Sequence, residues 1–115
     1  VLGARRIGHG VRCAGDDALL ERLRRDGIAL EMCPTSNVQT GAIRGLEVHP
    51  ATRLLAEGLA VTISTDTRTT SATTLAREFA SLRWSAGQER LAQAHAAGAA
   101  FADPQCRAAP GVRTC

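Results

Sequence analysis

The chain contains no lysine and no tyrosine, and its aromatic residues stop at two Phe and one Trp. Without interleaved aromatics there is no stacking platform for single-stranded nucleic acid. All 14 basic residues are arginine, scattered along the chain rather than gathered into a run. The net charge of +3 therefore reads as the codon bias of a GC-rich genome, which also explains abundant Ala and Gly, and no nucleic-acid partner is expected. Any core must be built from Leu, Val, Ile and Ala, and in 115 residues it is modest and fills one small domain. There is no signal-peptide pattern and no apolar run long enough for a membrane span, so no membrane partner is expected. The four cysteines, Cys13, Cys33, Cys106 and Cys115, form no C-x-x-C pair, and in so Leu-rich a chain free thiols in a reducing cytoplasm are expected rather than a disulfide framework. Phosphate loops of the G-x-x-x-x-G-K-[ST] or G-x-G-x-x-G kind are absent, as are H-x-H and H-E-x-x-H. The chain opens on Val1 and its only methionine is Met32, so it reads as a piece of a longer protein.

What is present is an alternation. "RRIGHG" (5–10), "IALEMC" (28–33) and "LAVTIST" (59–65) are strand candidates. Between and after them come helical stretches at about Asp17–Arg25, Pro50–Glu57, Thr73–Trp84 and Ala86–Phe101. In the first, Leu19, Leu20 and Leu23 fall on one side while Glu21, Arg22, Arg24 and Arg25 face away; Asp16 can cap its start and Gly27 follows its end. In the second, Leu54 and Leu55 point inward. In the third, Leu75, Phe79 and Leu82 form the stripe. "PTSNVQTG" (34–41) reads as a loop because Pro34 stops the preceding strand, and "DPQCRAAPGVRTC" (103–115) has no apolar period. Strand–helix alternation predicts an α/β fold with parallel strands and right-handed helical crossovers. Chemistry in such folds gathers at the carboxyl ends of the strands. His9, Cys33 and Asp66 stand at those three ends.

His9 lies between Gly8 and Gly10, where flanking glycines admit a tight bend and close ligand approach. It suits a general acid/base or a ligand, and equally a histidine hydrogen-bonded into a turn. Asp66, at the mouth of an apolar strand, suits a turn, a salt bridge or a cation; its placement on the same rim as His9 favours a site. His49 before Pro50 suits a helix-start role, His95 among alanines a surface position, and Cys33 a small buried side chain, since nothing near it in sequence lowers a thiol pKa.

"RIGHGVR", "LEMCPTSNVQTGAI", "HP" and "VTISTDTRTTSATTLAREF", in that order and spacing, resemble the carboxyl-terminal part of an adenosine deaminase. The resemblance covers residues 1 to about 84, thins toward Asp103 and is absent beyond. It implies a partial (β/α)8 barrel whose sixth, seventh and eighth strands are the three here, with residues 1–103 as the barrel part and 104–115 as an irregular tail. It implies a zinc ion as cofactor, Asp66 as a metal ligand, His9 as the catalytic histidine that holds and helps activate a zinc-bound water, and a purine nucleoside as substrate, losing its 6-amino group as ammonia. Where the family usually has "TDD", this chain has "TDT", so Thr67 takes the substrate-binding position. A hydroxyl still donates to a ring nitrogen but lacks the charge and reach of a carboxylate, which opens the way to related substrates such as aminodeoxyfutalosine or a modified adenine nucleoside. The family's H-x-H pair, third histidine ligand and catalytic Glu all precede "RIGHG". The chain is therefore expected to be inactive alone and to need the missing amino-terminal half of the barrel. The alternative is a non-catalytic α/β module that binds a partner or small molecule, since three parallel strands leave two open edges and cannot close a barrel.

Overall fold

A computed structural model describes residues 3–100. Three short strands, β1 (Arg6–Gly8), β2 (Ala29–Met32) and β3 (Val61–Ile63), form one parallel sheet in the order β1-β2-β3. Arg6 pairs with Ala29, and Leu30 with Val61. The α/β expectation with parallel strands holds, and each strand is shorter than the sequence reading by a residue or two at either end.

Between β1 and β2 run a 3₁₀ turn, Val11–Gly15, and helix α1, Asp17–Arg25. Asp16 caps α1 by accepting the Leu19 N–H at 2.9 Å, and Gly27 follows in the left-handed region at φ 64°, a conformation that costs glycine nothing. Leu20 and Leu23 are buried under the sheet while Leu19 stays on the flank. Between β2 and β3 come α2 (Pro34–Gln39), a 3₁₀ turn (Leu46–Val48) and α3 (Ala51–Ala56). Leu54 and Leu55 point into the core as expected. After β3 follow α4 (Arg68–Ser71), α5 (Leu75–Ser81) and α6 (Ala86–Ala100).

The core lies between the sheet and the helices: Leu30, Met32, Leu54, Leu59 and Val61 are fully buried. β2 is central, with Ala29, Leu30 and Met32 all buried, as a parallel strand covered on both faces requires. β1 is an exposed edge. The outer edge of β3 is covered by α6: Ala92 is fully buried there, and His95 Nδ1 accepts the Val61 N–H at 3.2 Å. His95 is thus half-buried and pairs a strand-edge donor, not the surface residue that its alanine-rich surroundings suggest.

Two segments differ from the sequence reading. "PTSNVQ" is a helix, not a loop: Pro34 occupies its first turn, where a missing N–H is no loss and the fixed φ suits the helix. The stretch read as one helix over Thr73–Trp84 is shorter, capped by Thr74, whose hydroxyl accepts the Arg77 N–H, and ended by Leu82 in extended backbone. Its apolar stripe is not the buried face throughout, because Leu75 is half exposed whereas Glu78 is fully buried. Phe101, Asp103 and the segment 104–115 lie outside the described residues.

Candidate functional site

β1 and β3 each release the chain through a residue with positive φ. His9 has φ 62° and Asp66 φ 56°, in the left-handed region that is uncommon for residues other than glycine. Such conformations also end helices, as at Ala72 with φ 49° after Arg68–Ser71, but two of them at the ends of strands on one rim fit a functional site. In His9 the turn is reinforced by Gly10 at φ 68°, while its N–H still donates to Glu31 O at 2.8 Å. The chain therefore leaves the sheet only after one more ladder bond, and the ring turns across the sheet end toward β3.

The two side chains meet there. His9 Nε2 lies 3.9 Å from Asp66 Oδ2, although β2 separates their strands. α2 fills the gap above β2. Its Ser36 hydroxyl donates to Asp66 Oδ2 at 2.7 Å, and its Asn37 side-chain nitrogen lies 2.9 Å from His9 Nδ1. The Ser36 hydrogen bond, aided by the neighbouring His9, holds the Asp66 carboxyl below the ordinary carboxylate range, so it is ionised at neutral pH. Thr67 stands next to it, exposed, with its hydroxyl 3.5 Å from Asp66 Oδ1.

Behind this rim the polar groups rest on buried ones. Asn37 Oδ1 accepts the Cys33 N–H at 3.3 Å and faces His49 Nε2 at 3.2 Å. His49 Nδ1 accepts the Ala51 N–H at 3.3 Å, which is the helix-start role expected of it. Burial holds the His49 ring down to about 4, against the opposing field of Glu78. Burial also pushes the Cys33 thiol up to about 11, with the Asp66 charge adding to it; Cys33 is thus the inert buried side chain expected, not a nucleophile. Glu78, reaching over from α5, accepts the Thr35 N–H at 2.9 Å through one oxygen.

A cavity of about 460 Å³ opens beside the rim, with His9, Ser36, Asn37 and Asp66 on one side and apolar residues including Val11 and Leu30 on the other. Its size and its few convergent polar groups are those of a small-molecule pocket. Of the residues singled out in the sequence, His9, Asp66 and Thr67 come together at this rim, while His49 stands one residue behind it and His95 lies on β3. Ser36, Asn37 and Glu78 were not anticipated. The available signal was Pro34, a favoured first-turn residue, which would have placed Ser36 and Asn37 on a helix above the strand ends.

A family model for adenosine deaminase matches residues 1–109. An adenosine deaminase of Shewanella halifaxensis is 47% identical over 79 residues, 69% of this chain and 24% of the relative. An aminodeoxyfutalosine deaminase of Acidothermus cellulolyticus is 50% identical over 74 residues, 64% of this chain and 21% of the relative. Among solved structures, an adenine deaminase from Arthrobacter aurescens superposes with a TM-score of 0.83 at 30% identity, covering 94% of this chain and 34% of that one. The N6-methyl-AMP deaminase of Arabidopsis thaliana superposes at 0.71 and 31% identity, covering 91% and 32%. The chain spans about a quarter of the length of the curated relatives it matches. Its three βα units form a partial (β/α)8 barrel. The chain belongs to the adenosine deaminase family.

Proposed function

We propose that this chain contributes the His9–Asp66 rim of a zinc-dependent site that deaminates an aminopurine nucleoside in the cytoplasm. The observation that carries the reading is the 3.9 Å approach of His9 Nε2 to Asp66 Oδ2, made by two residues with positive φ at the ends of non-adjacent strands.

The residues present fit one corner of a zinc site. Asp66 is an ionised, exposed carboxylate fixed through one oxygen by Ser36, the hard oxygen donor that zinc accepts beside nitrogen ligands. Among the described residues no group of three or more His, Cys, Asp and Glu could hold a metal; because the chain spans about a quarter of the relatives it matches, this reading assigns the remaining donors and the proton-carrying acid to the rest of the barrel. Zinc, when bound, would bring the pKa of a coordinated water toward about 7. Asp66 would hold the ion. His9 would orient the attacking oxygen and stabilise the charge that develops on it. Thr67, next along the rim, would donate its hydroxyl to a ring nitrogen of the purine. Water replaces the amine at the 6-position: a C–O bond forms, the C–N bond breaks, one water proton ends on the departing ammonia, and the other ends on the adjacent ring nitrogen of the 6-oxo product. One carboxylate binds zinc weakly in water, so the chain alone is inactive in this reading.

Relatives that act on adenosine and on aminodeoxyfutalosine are similarly close to this chain, which keeps both among the candidate substrates, together with a modified adenine. The test is a chimera in which the matching segment of the Shewanella halifaxensis deaminase is replaced by this one. The expected result is one tightly bound zinc and release of ammonia from at least one of these aminopurines, both lost on Asp66→Ala. Full zinc occupancy without deamination of any of them would overturn the substrate class; failure of Asp66→Ala to weaken zinc would overturn the assigned ligand.

A further inference from the structure

Two backbone N–H groups settle the direction of every hydrogen bond behind His9. The Cys33 N–H points at one side-chain atom of Asn37 at 3.3 Å. A backbone N–H can only donate, so that atom is the amide oxygen, and the amide nitrogen faces His9 Nδ1 at 2.9 Å. At the other end, the Ala51 N–H points at His49 Nδ1, which must accept. The neutral His49 ring then carries its proton on Nε2 and gives it to the same Asn37 oxygen, 3.2 Å away. Both ends agree on the orientation of one amide, which is 1% exposed.

An amide nitrogen carries hydrogens and no usable lone pair, so His9 Nδ1 facing it must accept. A neutral imidazole with an accepting Nδ1 carries its proton on Nε2, the nitrogen that faces Asp66 Oδ2. We infer that Asn37 is a positioning residue that sets the ring tautomer of His9, with His49 and the Cys33 N–H locking the amide that does so.

This has a consequence for the site, and that consequence rests on the deaminase reading above, whereas the tautomer itself does not. With its proton on Nε2 at rest, His9 presents a donor to the rim. It can orient an oxygen nucleophile and steady the charge on it, but it has no free lone pair there with which to take that oxygen's proton. Polarity in the buried chain thus selects a stabilising over a proton-abstracting role for His9 before any ligand arrives. Asn37→Asp tests the assignment because it keeps the shape and the two accepted hydrogen bonds while turning the group facing His9 from donor to acceptor.

The experiment is nitrogen-15 NMR of the histidine-labelled chain above pH 8, where imidazole is neutral. The chain has three histidines, so His9 is assigned by loss of its signals in His9→Gln. The expected wild-type pattern is a pyrrole-type Nε2 and a pyridine-type Nδ1. In Asn37→Asp, which sets a carboxylate at Nδ1 as Asp66 already does at Nε2, the His9 Nδ1 should change from pyridine-type to pyrrole-type, while His95, on the far side of β3, keeps its signals and reports an intact fold. A proton on Nδ1 in the wild type would overturn the inference, as would a His9 pattern unchanged by Asn37→Asp. Should that variant not fold, Asn37→Ser, too short to reach the ring, should move His9 to the averaged pattern of a free imidazole, and an unaltered His9 there is equally fatal. None of these readouts involves zinc or turnover, so a wrong substrate class leaves them untouched.

Discussion

Ser36 and Asn37, adjacent on α2, divide the rim between them: Ser36 holds Asp66 and Asn37 faces His9. Side chains of consecutive helical residues point about 100° apart, so a single helix start above β2 reaches both flanking strand ends. This is how two groups on strands that are not neighbours come within 3.9 Å of each other. The arrangement depends on α2 being anchored, which Pro34 provides at its start and Glu78 through the Thr35 N–H.

His9→Gly should leave the stability of the chain within about 1 kcal/mol of wild type. A left-handed backbone costs an ordinary residue roughly 1–2 kcal/mol, which glycine avoids, while glycine loses roughly 0.5–1 kcal/mol more in chain entropy. The ring is about half exposed, so little apolar burial is lost. Urea unfolding checks this; a loss well beyond that range would make His9 a structural anchor rather than a site residue held under strain.

Gly10→Ala, one residue on, should behave in the opposite way. Gly10 has φ 68°, and a Cβ there would lie 2.7 Å from Cδ2 of Leu30, itself fully buried. Left-handed strain and overpacking then act together, and the expected loss is about 2 kcal/mol or more, read as a fall in the urea midpoint without a change in slope.

Helix α1 and the carboxyl-end rim were legible because their signals are local. Asp16 three residues before Leu19 is a cap, Gly27 is a stop, and the two strands that lead to His9 and Asp66 align their ends once they are parallel. The buried supports were not legible, because each is settled by a partner far along the chain. Glu78 is buried to accept the N–H of Thr35, 43 residues away, which overrides the stripe of Leu75, Phe79 and Leu82. His95 is drawn down by the Val61 N–H, 34 residues away. Pro34 carries two meanings, strand stop and helix start, and the residues around it do not choose between them.

Glu78→Gln should be neutral or stabilising by up to about 1 kcal/mol, whereas Glu78→Ala should cost about 2–4 kcal/mol. The carboxyl group is fully buried, and among the described residues its second oxygen has no hydrogen-bond partner, an expensive state for a charge. Glutamine keeps an acceptor for the Thr35 N–H and removes the charge, at the expense of a neutral unpaired amide group. Alanine leaves a cavity and strips α2 of that acceptor. Paired denaturant melts decide it, and a large loss in Glu78→Gln would mean that the charge itself is needed.

Stability should fall as the solution is acidified from about pH 6.5 to about pH 4, and His49 should be the cause. The ring is 5% exposed, and burial lowers it from its ordinary 6.5 to about 4 in the folded chain. Between those values the unfolded state binds a proton that the folded state does not, so unfolding gains as protons become available. The contribution is fully present above pH 6.5 and is lost on the way down to pH 4, amounting to something on the order of 3 kcal/mol. Nearby Glu78 opposes the shift by favouring the charged ring, so Glu78→Gln should steepen the acid loss. Asp66, whose carboxyl is also lowered, contributes in the same direction but only below its ordinary 3.8, outside this window. Thermal melts at half-unit steps, compared with His49→Gln, separate the two: the variant should be less stable at pH 7 and nearly flat between pH 6.5 and 4. An equally steep slope in the variant would assign the acid sensitivity to another group and remove His49 as the neutral ring on which the Asn37 amide depends.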